Sequence, residues 1–204
     1  MRSRFLAGCG IATVVVLGIA AGLLLSARSW VELQRADPDL RERVARKALG
    51  GPGLPDGYDL EFLLSIPLVT DVVVLGRRGA DGRRQAVLAH VRTLSNRIWG
   101  EDGSALTLDV QGYRVRFVLQ EALEPVDRRL GEDRLEWKGY RGSLQVAGEP
   151  VLPAAIAVMT VDCRGDPRPR RAVWATVRGE GVESASDPGA ALALLSAFHL
   201  CPEP

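Results

Sequence analysis

Few residues in this chain have the types and spacing that do chemistry. The two histidines, His90 and His199, belong to no HExxH, HxH or CxxH pattern, so no metal site is expected. No serine sits in a GxSxG context, which argues against a nucleophile elbow. Neither GxxxxGK[ST] nor GxGxxG after a strand occurs, so no P-loop and no dinucleotide cradle is expected. The reading is of a chain without catalytic residues and without a cofactor. A cleft gathering one histidine with a carboxylate and a serine is the arrangement that would overturn it.

Two other constellations remain. Cys163 closes a strand pattern and Cys201 follows a helical one, so a disulfide between them would tie a terminal helix to the sheet. Closing that loop would stabilise the fold by about 4 kcal/mol on the chain-entropy account, in an oxidising compartment. Arg77, Arg78, Arg83 and Arg84 gather on one hairpin, and Arg164, Arg168, Arg170 and Arg171 on another. The first group is the candidate patch for an anionic partner, an acidic protein or lipid headgroups. All but Lys47 and Lys138 of the 26 basic residues are arginine, so only clusters of arginine are read as sites.

Composition narrows the possibilities. The 26 basic and 25 acidic residues nearly cancel, which excludes a strongly basic nucleic-acid binder and an acidic tail. With 47% apolar and 25% charged residues among its 204, the chain has the make-up of a folding domain plus an appendage.

The appendage is the N-terminal run. Residues 5–25 carry no charge. As a helix they span about 30 Å, the thickness of a bilayer core, with every backbone polar group satisfied internally. The run exceeds the apolar stretch of a signal peptide, so an uncleaved anchor is expected. Leu6-Ala7-Gly8-Cys9 matches a lipobox in letters, but the apolar run follows it, so Cys9 is read as part of the anchor. The expected layout is a cytoplasmic tail at 1–4, a transmembrane anchor at 5–25, a juxtamembrane helix and linker at 26–57, and a β-rich extracytoplasmic domain at 58–204. This places a single-pass protein in a bacterial cytoplasmic membrane, with its N-terminus inside and its C-terminal domain periplasmic or extracellular. The bilayer is then its first partner, and nucleic acid is not one.

Beyond the anchor, Asp37-Pro38-Asp39 is a capping signature. Leu40, Val44 and Ala48 recur at helical spacing up to Gly50, which predicts a helix over 38–49. The breaker-rich segment 51–57 ends it. A period of two then predicts strands at 58–65, 70–77 and 85–94. The alternation over 106–119 predicts a hairpin. A two-residue turn at Gln111-Gly112 would pair Val110 with Tyr113, Leu108 with Val115 and Leu106 with Phe117, with Asp109 opposite Arg114 on the other face. Further strands are predicted at 135–140, 143–147, 154–163 and 171–178, and Asp187-Pro188 opens a helix at 188–199. The fold expected is α+β: an N-terminal transmembrane helix, then a mostly antiparallel sheet with a short N-terminal helix and a C-terminal helix packed on it.

This layout, with its Leu54-Pro55-Asp56-Gly57-Tyr58 element, resembles uncharacterised bacterial envelope proteins. Those are single-pass proteins with a small β-rich domain outside the membrane. The resemblance implies no activity and no functional residues. The function expected is a membrane-tethered, non-enzymatic envelope domain that binds a protein or envelope component. The alternative is a small-molecule or lipid carrier or sensor with an apolar pocket between sheet and C-terminal helix.

Overall fold

The computed structural model describes residues 28–34, 36–50, 56–67, 69–93, 99–102, 104–122, 126–130, 133–162 and 170–177, together with Gly22, Leu25, Ser26 and Leu54. The chain divides into two compact units, Met1–Arg41 and Glu42–Pro204. In the first, residues 28–34 are helical, and Arg28 pairs with Glu32 one turn on. Exposed i,i+4 pairs of this kind contribute a few tenths of a kcal/mol at about neutral pH.

Helix α1 covers Pro38–Leu49, where the spacing predicts it. Asp37 Oδ1 accepts hydrogen bonds from the backbone N–H groups of Asp39 and Leu40, both at 3.0 Å. These are donors that a helix start otherwise leaves unpaired. Ala45, Ala48 and Leu49 are buried one turn apart and form the apolar stripe.

Among the described residues ten strands follow: β1 (Asp59–Ile66), β2 (Thr70–Arg78), β3 (Arg84–Thr93), β4 (Trp99–Glu101), β5 (Ala105–Val110), β6 (Tyr113–Ala122), β7 (Val126–Leu130), β8 (Asp133–Val146), β9 (Leu152–Asp162) and β10 (Arg170–Val177). They build one sheet in the order β1-β2-β3-β10-β9-β8-β6-β5-β4, with β7 pairing the N-terminal half of β8. All pairings are antiparallel.

The predicted hairpin stands residue for residue. Val110 pairs with Tyr113, Leu108 with Val115 and Leu106 with Phe117. Gln111 and Gly112 take the positive φ values, 51° and 85°, that a tight two-residue turn requires. β9 and β10 also pair, as expected of a hairpin. The two strands predicted at 135–140 and 143–147 are instead one, β8. Gly142, between the two predicted strands, is where β6 approaches closely: a Cβ there would lie 1.8 Å from the carbonyl oxygen of Val118. Only glycine admits that approach, beside the register shift between Leu119 and Glu121.

The α+β expectation is corrected: the described protein is mostly β. Among the described residues no helix follows Leu49 and none packs on the sheet from the C-terminal side. The helix predicted at 188–199 lies outside the described residues. No described helix is long and apolar enough to cross a membrane, so the expected transmembrane helix is not found among them. Of residues 5–25 only Gly22 and Leu25 are described.

The physical reason for the correction is that the sheet covers itself. Tyr113, at the tip of the β5–β6 hairpin, stacks on Phe62 of β1 with ring centroids 5.2 Å apart. Its hydroxyl donates to Glu61 Oε2 at 2.6 Å. Arg171 of β10 pairs with Glu101 of β4. These strands are not neighbours in the sheet, so it must curl for them to meet. Alternation and register put Val72, Val74, Ala89, Val173 and Val158 on the inner face, with Leu106, Leu108, Val115, Phe117 and Leu144, and all are buried. The outer face of the central strands meets α1 through Leu63, Val73, Leu75, Leu88, Ala157, Met159, Ala172 and Trp174. β2, β3 and β10 are therefore buried on both sides and read as continuous apolar runs.

Candidate functional site

The β2–β3 connection is built by local chemistry. Asp81 Oδ1 accepts from the backbone N–H of Arg83 at 3.0 Å, and the N–H of Gly79 donates to the carbonyl of Arg83 at 2.9 Å. The turn and a register shift at Arg77/Arg78 bring all four predicted arginines to one end of the sheet. The β8–β9 turn arrives beside them and supplies Glu149, a residue sequence reasoning did not single out.

The four arginines differ sharply in what they do. Arg84 is buried, its side chain 3% exposed. Its Nε and Nη2 donate to the two oxygens of Glu149 at 2.6 and 2.8 Å, and Nη1 lies 2.8 Å from Glu61 Oε1. Arg78 donates to the same Glu149 oxygen at 2.5 Å and lies 3.9 Å from Glu61. Arg83 makes a loose pair with Asp81 at 3.6 Å, with its side chain 88% exposed. Arg77 is exposed and has no ion-pair partner among the described residues. In charge terms Arg78 and Arg84 are cancelled by Glu61 and Glu149, and Arg83 by Asp81. Among the described residues Arg77 is the arginine of this group left without an ion pair.

Electrostatics at this end follow from the geometry. Arg84 holds the Glu149 carboxyl down at about 2, against the opposing effect of its own partial burial, with Arg78 assisting. The two carboxylates raise Arg84, outweighing its desolvation, so it is permanently charged. Burial, and then Glu61, raise the Tyr113 hydroxyl, which stays a donor. Gly76 makes room for Glu61: a Cβ there would sit 2.0 Å from Glu61 Oε1.

Between the β2–β3 hairpin, the β8–β9 turn and the end of β10 lies an open cavity of about 870 Å³. Arg77, Arg78, Arg83 and Arg84 all line it. Tyr58, Trp174, Leu152, Pro150 and Val177 line it as well. Trp174 Nε1 donates to the Tyr58 hydroxyl at 3.1 Å. Burial raises the Tyr58 hydroxyl, with Trp174 and then Arg77 pulling the other way. A second, smaller cavity of about 260 Å³ opens on the inner face near the opposite end of β10. Its charged residues pair among themselves, Arg171 with Glu101 and Lys138 with Glu136.

His90 lies on β3 at the far end from the large cavity. It is fully buried, and neither ring nitrogen has a hydrogen-bond partner among the described residues. Desolvation, with Arg170 and Arg92 outweighing Asp71, lowers it to about 3, so it is neutral. Asp71 and Ser65 are buried close to the same end. Ser65 Oγ donates to Asp71 Oδ1 at 2.6 Å, and Arg92 Nε to Asp71 Oδ2 at 2.7 Å. A histidine, a carboxylate and a serine thus converge, but the serine proton goes to the carboxylate rather than the imidazole. None of the three lines either cavity described above.

Cys163, Cys201, His199, Arg164 and Arg168 lie outside the described residues, and with them the expected disulfide. Among the described residues no group of histidine, cysteine and carboxylate side chains could hold a metal ion. Of the functional residues missed, Tyr58 opens the strand predicted at 58–65, and Trp174 lies in the strand predicted at 171–178. Glu149 had no signal, since its partner Arg84 is 65 positions away. No family model matches the chain, and no curated protein and no solved structure matches it either.

Proposed function

We propose that the β domain is a non-enzymatic binding module, tethered to a bacterial membrane through the apolar N-terminal run, that holds an anionic group of an envelope component in the large cavity. The observation that carries this reading is Arg77, a guanidinium without an ion-pair partner among the described residues, on the wall of an open cavity whose other arginines are paired with carboxylates. Volumes near this one are typical of small-molecule sites, apolar walls with a few polar groups. A flat protein-docking face has less support. The large apolar side chains left exposed in the second unit, among the described residues, are Val69 and Val151, on separate turns. The spent Ser65 hydroxyl and the enclosed His90 support a non-catalytic role.

The test is a titration of the whole chain, in phosphatidylcholine nanodiscs, with acetate, inorganic phosphate, neutral alcohols and alkylammonium ions. The readout is the Trp174 indole and Arg77 side-chain resonances. Anions are expected to shift both, and Arg77→Glu to abolish the response. A response to cations or alcohols equal to that of the anions would overturn the reading.

A further inference from the structure

We infer that the ligand of this cavity is a small amphiphilic monoanion, a carboxylate head on an apolar body, with Arg77 and the Tyr58 hydroxyl receiving the head and Trp174, Leu152 and Val177 the body. The inference rests on the reading of the cavity as an anion site and narrows its chemistry.

The head follows from donors. Tyr58 Oη already accepts from Trp174 Nε1, so the indole fixes the phenol while the phenol's own proton remains to be donated. Arg77 lines the same wall and passes close to the preceding turn, its Nε 3.7 Å from where a Cβ on Gly57 would stand. A guanidinium and a hydroxyl side by side offer two or three N–H and O–H donors, which matches the two oxygens of a carboxylate.

A single negative charge follows from the balance. Among the described residues Arg77 is the arginine of this cavity without an ion pair, while Glu149 and Asp81 are taken up by Arg78, Arg84 and Arg83. A dianion such as a phosphate monoester would bring a second charge with no unpaired described arginine to meet it. The body follows from the wall. Trp174 belongs to the core cluster under α1, so the aromatic side of the cavity is held rigidly, and Pro150, Leu152 and Val177 add apolar lining. A head-only anion would leave that apolar surface wet, whereas a hydrocarbon or aryl body buries it at about 25 cal/mol per Å².

The experiment compares four probes on the whole chain in phosphatidylcholine nanodiscs, with empty discs as the blank. They are 4-phenylbutyrate (head and body), acetate (head only), 4-phenylbutanol (body only) and phenyl phosphate (dianion). Binding is read from the Trp174 indole resonance. 4-Phenylbutyrate is expected to bind at least tenfold tighter than each of the other three. Arg77→Gln should weaken it about tenfold, and Tyr58→Phe about threefold. Arg77 is exposed, so its variant keeps the fold, and an unchanged unfolding midpoint checks this. If acetate binds as tightly as 4-phenylbutyrate, the anion site survives and the amphiphile is overturned. If the alcohol binds as tightly, or Arg77→Gln changes nothing, the head group is not read and the inference falls. If no anion binds at all, the underlying reading falls with it.

Discussion

The two ends of strands β2, β3 and β10 each bury charge, and they handle it in opposite ways. At one end Arg84 is enclosed but matched by two carboxylates with bidentate geometry. At the other His90 is enclosed with both nitrogens lacking a hydrogen-bond partner among the described residues, near Arg170, Arg92 and Asp71, and it is kept neutral. A matched buried ion is costly to break, whereas a neutral buried base is costly to charge. The open cavity lies at the matched end, so rigid, cancelled charges frame it and leave one arginine to select a ligand.

The comparison breaks most visibly at Glu149. Glu149→Ala leaves Arg84 buried with one carboxylate, and urea unfolding should show a loss of about 3 kcal/mol. A loss below about 1 kcal/mol would mean that Arg84 is solvated in the open state. Because Glu149 is held down at about 2, its contribution is present above its ordinary value near 4.5 and lost as pH falls from there through 2.

The His90 end should fail earlier and for the opposite charge. A histidine lowered from 6.5 to about 3 favours folding when neutral, so its contribution is full above pH 6.5 and declines as pH falls from 6.5 toward 3. Between pH 6 and 5 the decline has a slope of up to about 1.4 kcal/mol per pH unit. His90→Leu should flatten the stability profile in that interval, measured by urea midpoints at stepped pH. An unchanged slope would show that another group titrates there.

Smaller effects sharpen the contrast with exposed charge. Asp109 faces Arg114 across the β5–β6 hairpin at 2.6 Å, with both side chains well exposed. Asp109→Ala should cost less than about 1 kcal/mol, and less again in high salt. Arg77→Gln should leave the unfolding midpoint within about 0.5 kcal/mol of the parent while weakening the response to anions about tenfold. A variant that lost both would place Arg77 in the frame and not in the site.

Local physics is legible in this sequence, and the hairpin shows why. Alternation, a two-residue turn and one buried face leave a single register for Ala105–Val110 against Tyr113–Ala122. The cap at Asp37 and the arginine cluster on the β2–β3 hairpin were readable for the same reason, because their partners lie within a few positions. β8 reads as two strands because a glycine that ends a strand and one, such as Gly142, that admits a neighbouring carbonyl look the same without the neighbour.

What this sequence determined by itself is α1, the strands β1, β2, β3, β5, β6, β9 and β10, and that four arginines would share one hairpin, whereas β4 and β7 carry too short a pattern to be read and β8 reads as two strands. Tertiary structure alone decided that the sheet curls onto itself, joining Tyr113 to Glu61 and Phe62 across 52 and 51 positions of chain. It also decided which arginines are cancelled and which one is left to meet a ligand. Periodicity and capping act over one turn or one strand, whereas charge pairing and sheet closure act between segments whose order in the chain says nothing of their distance in space.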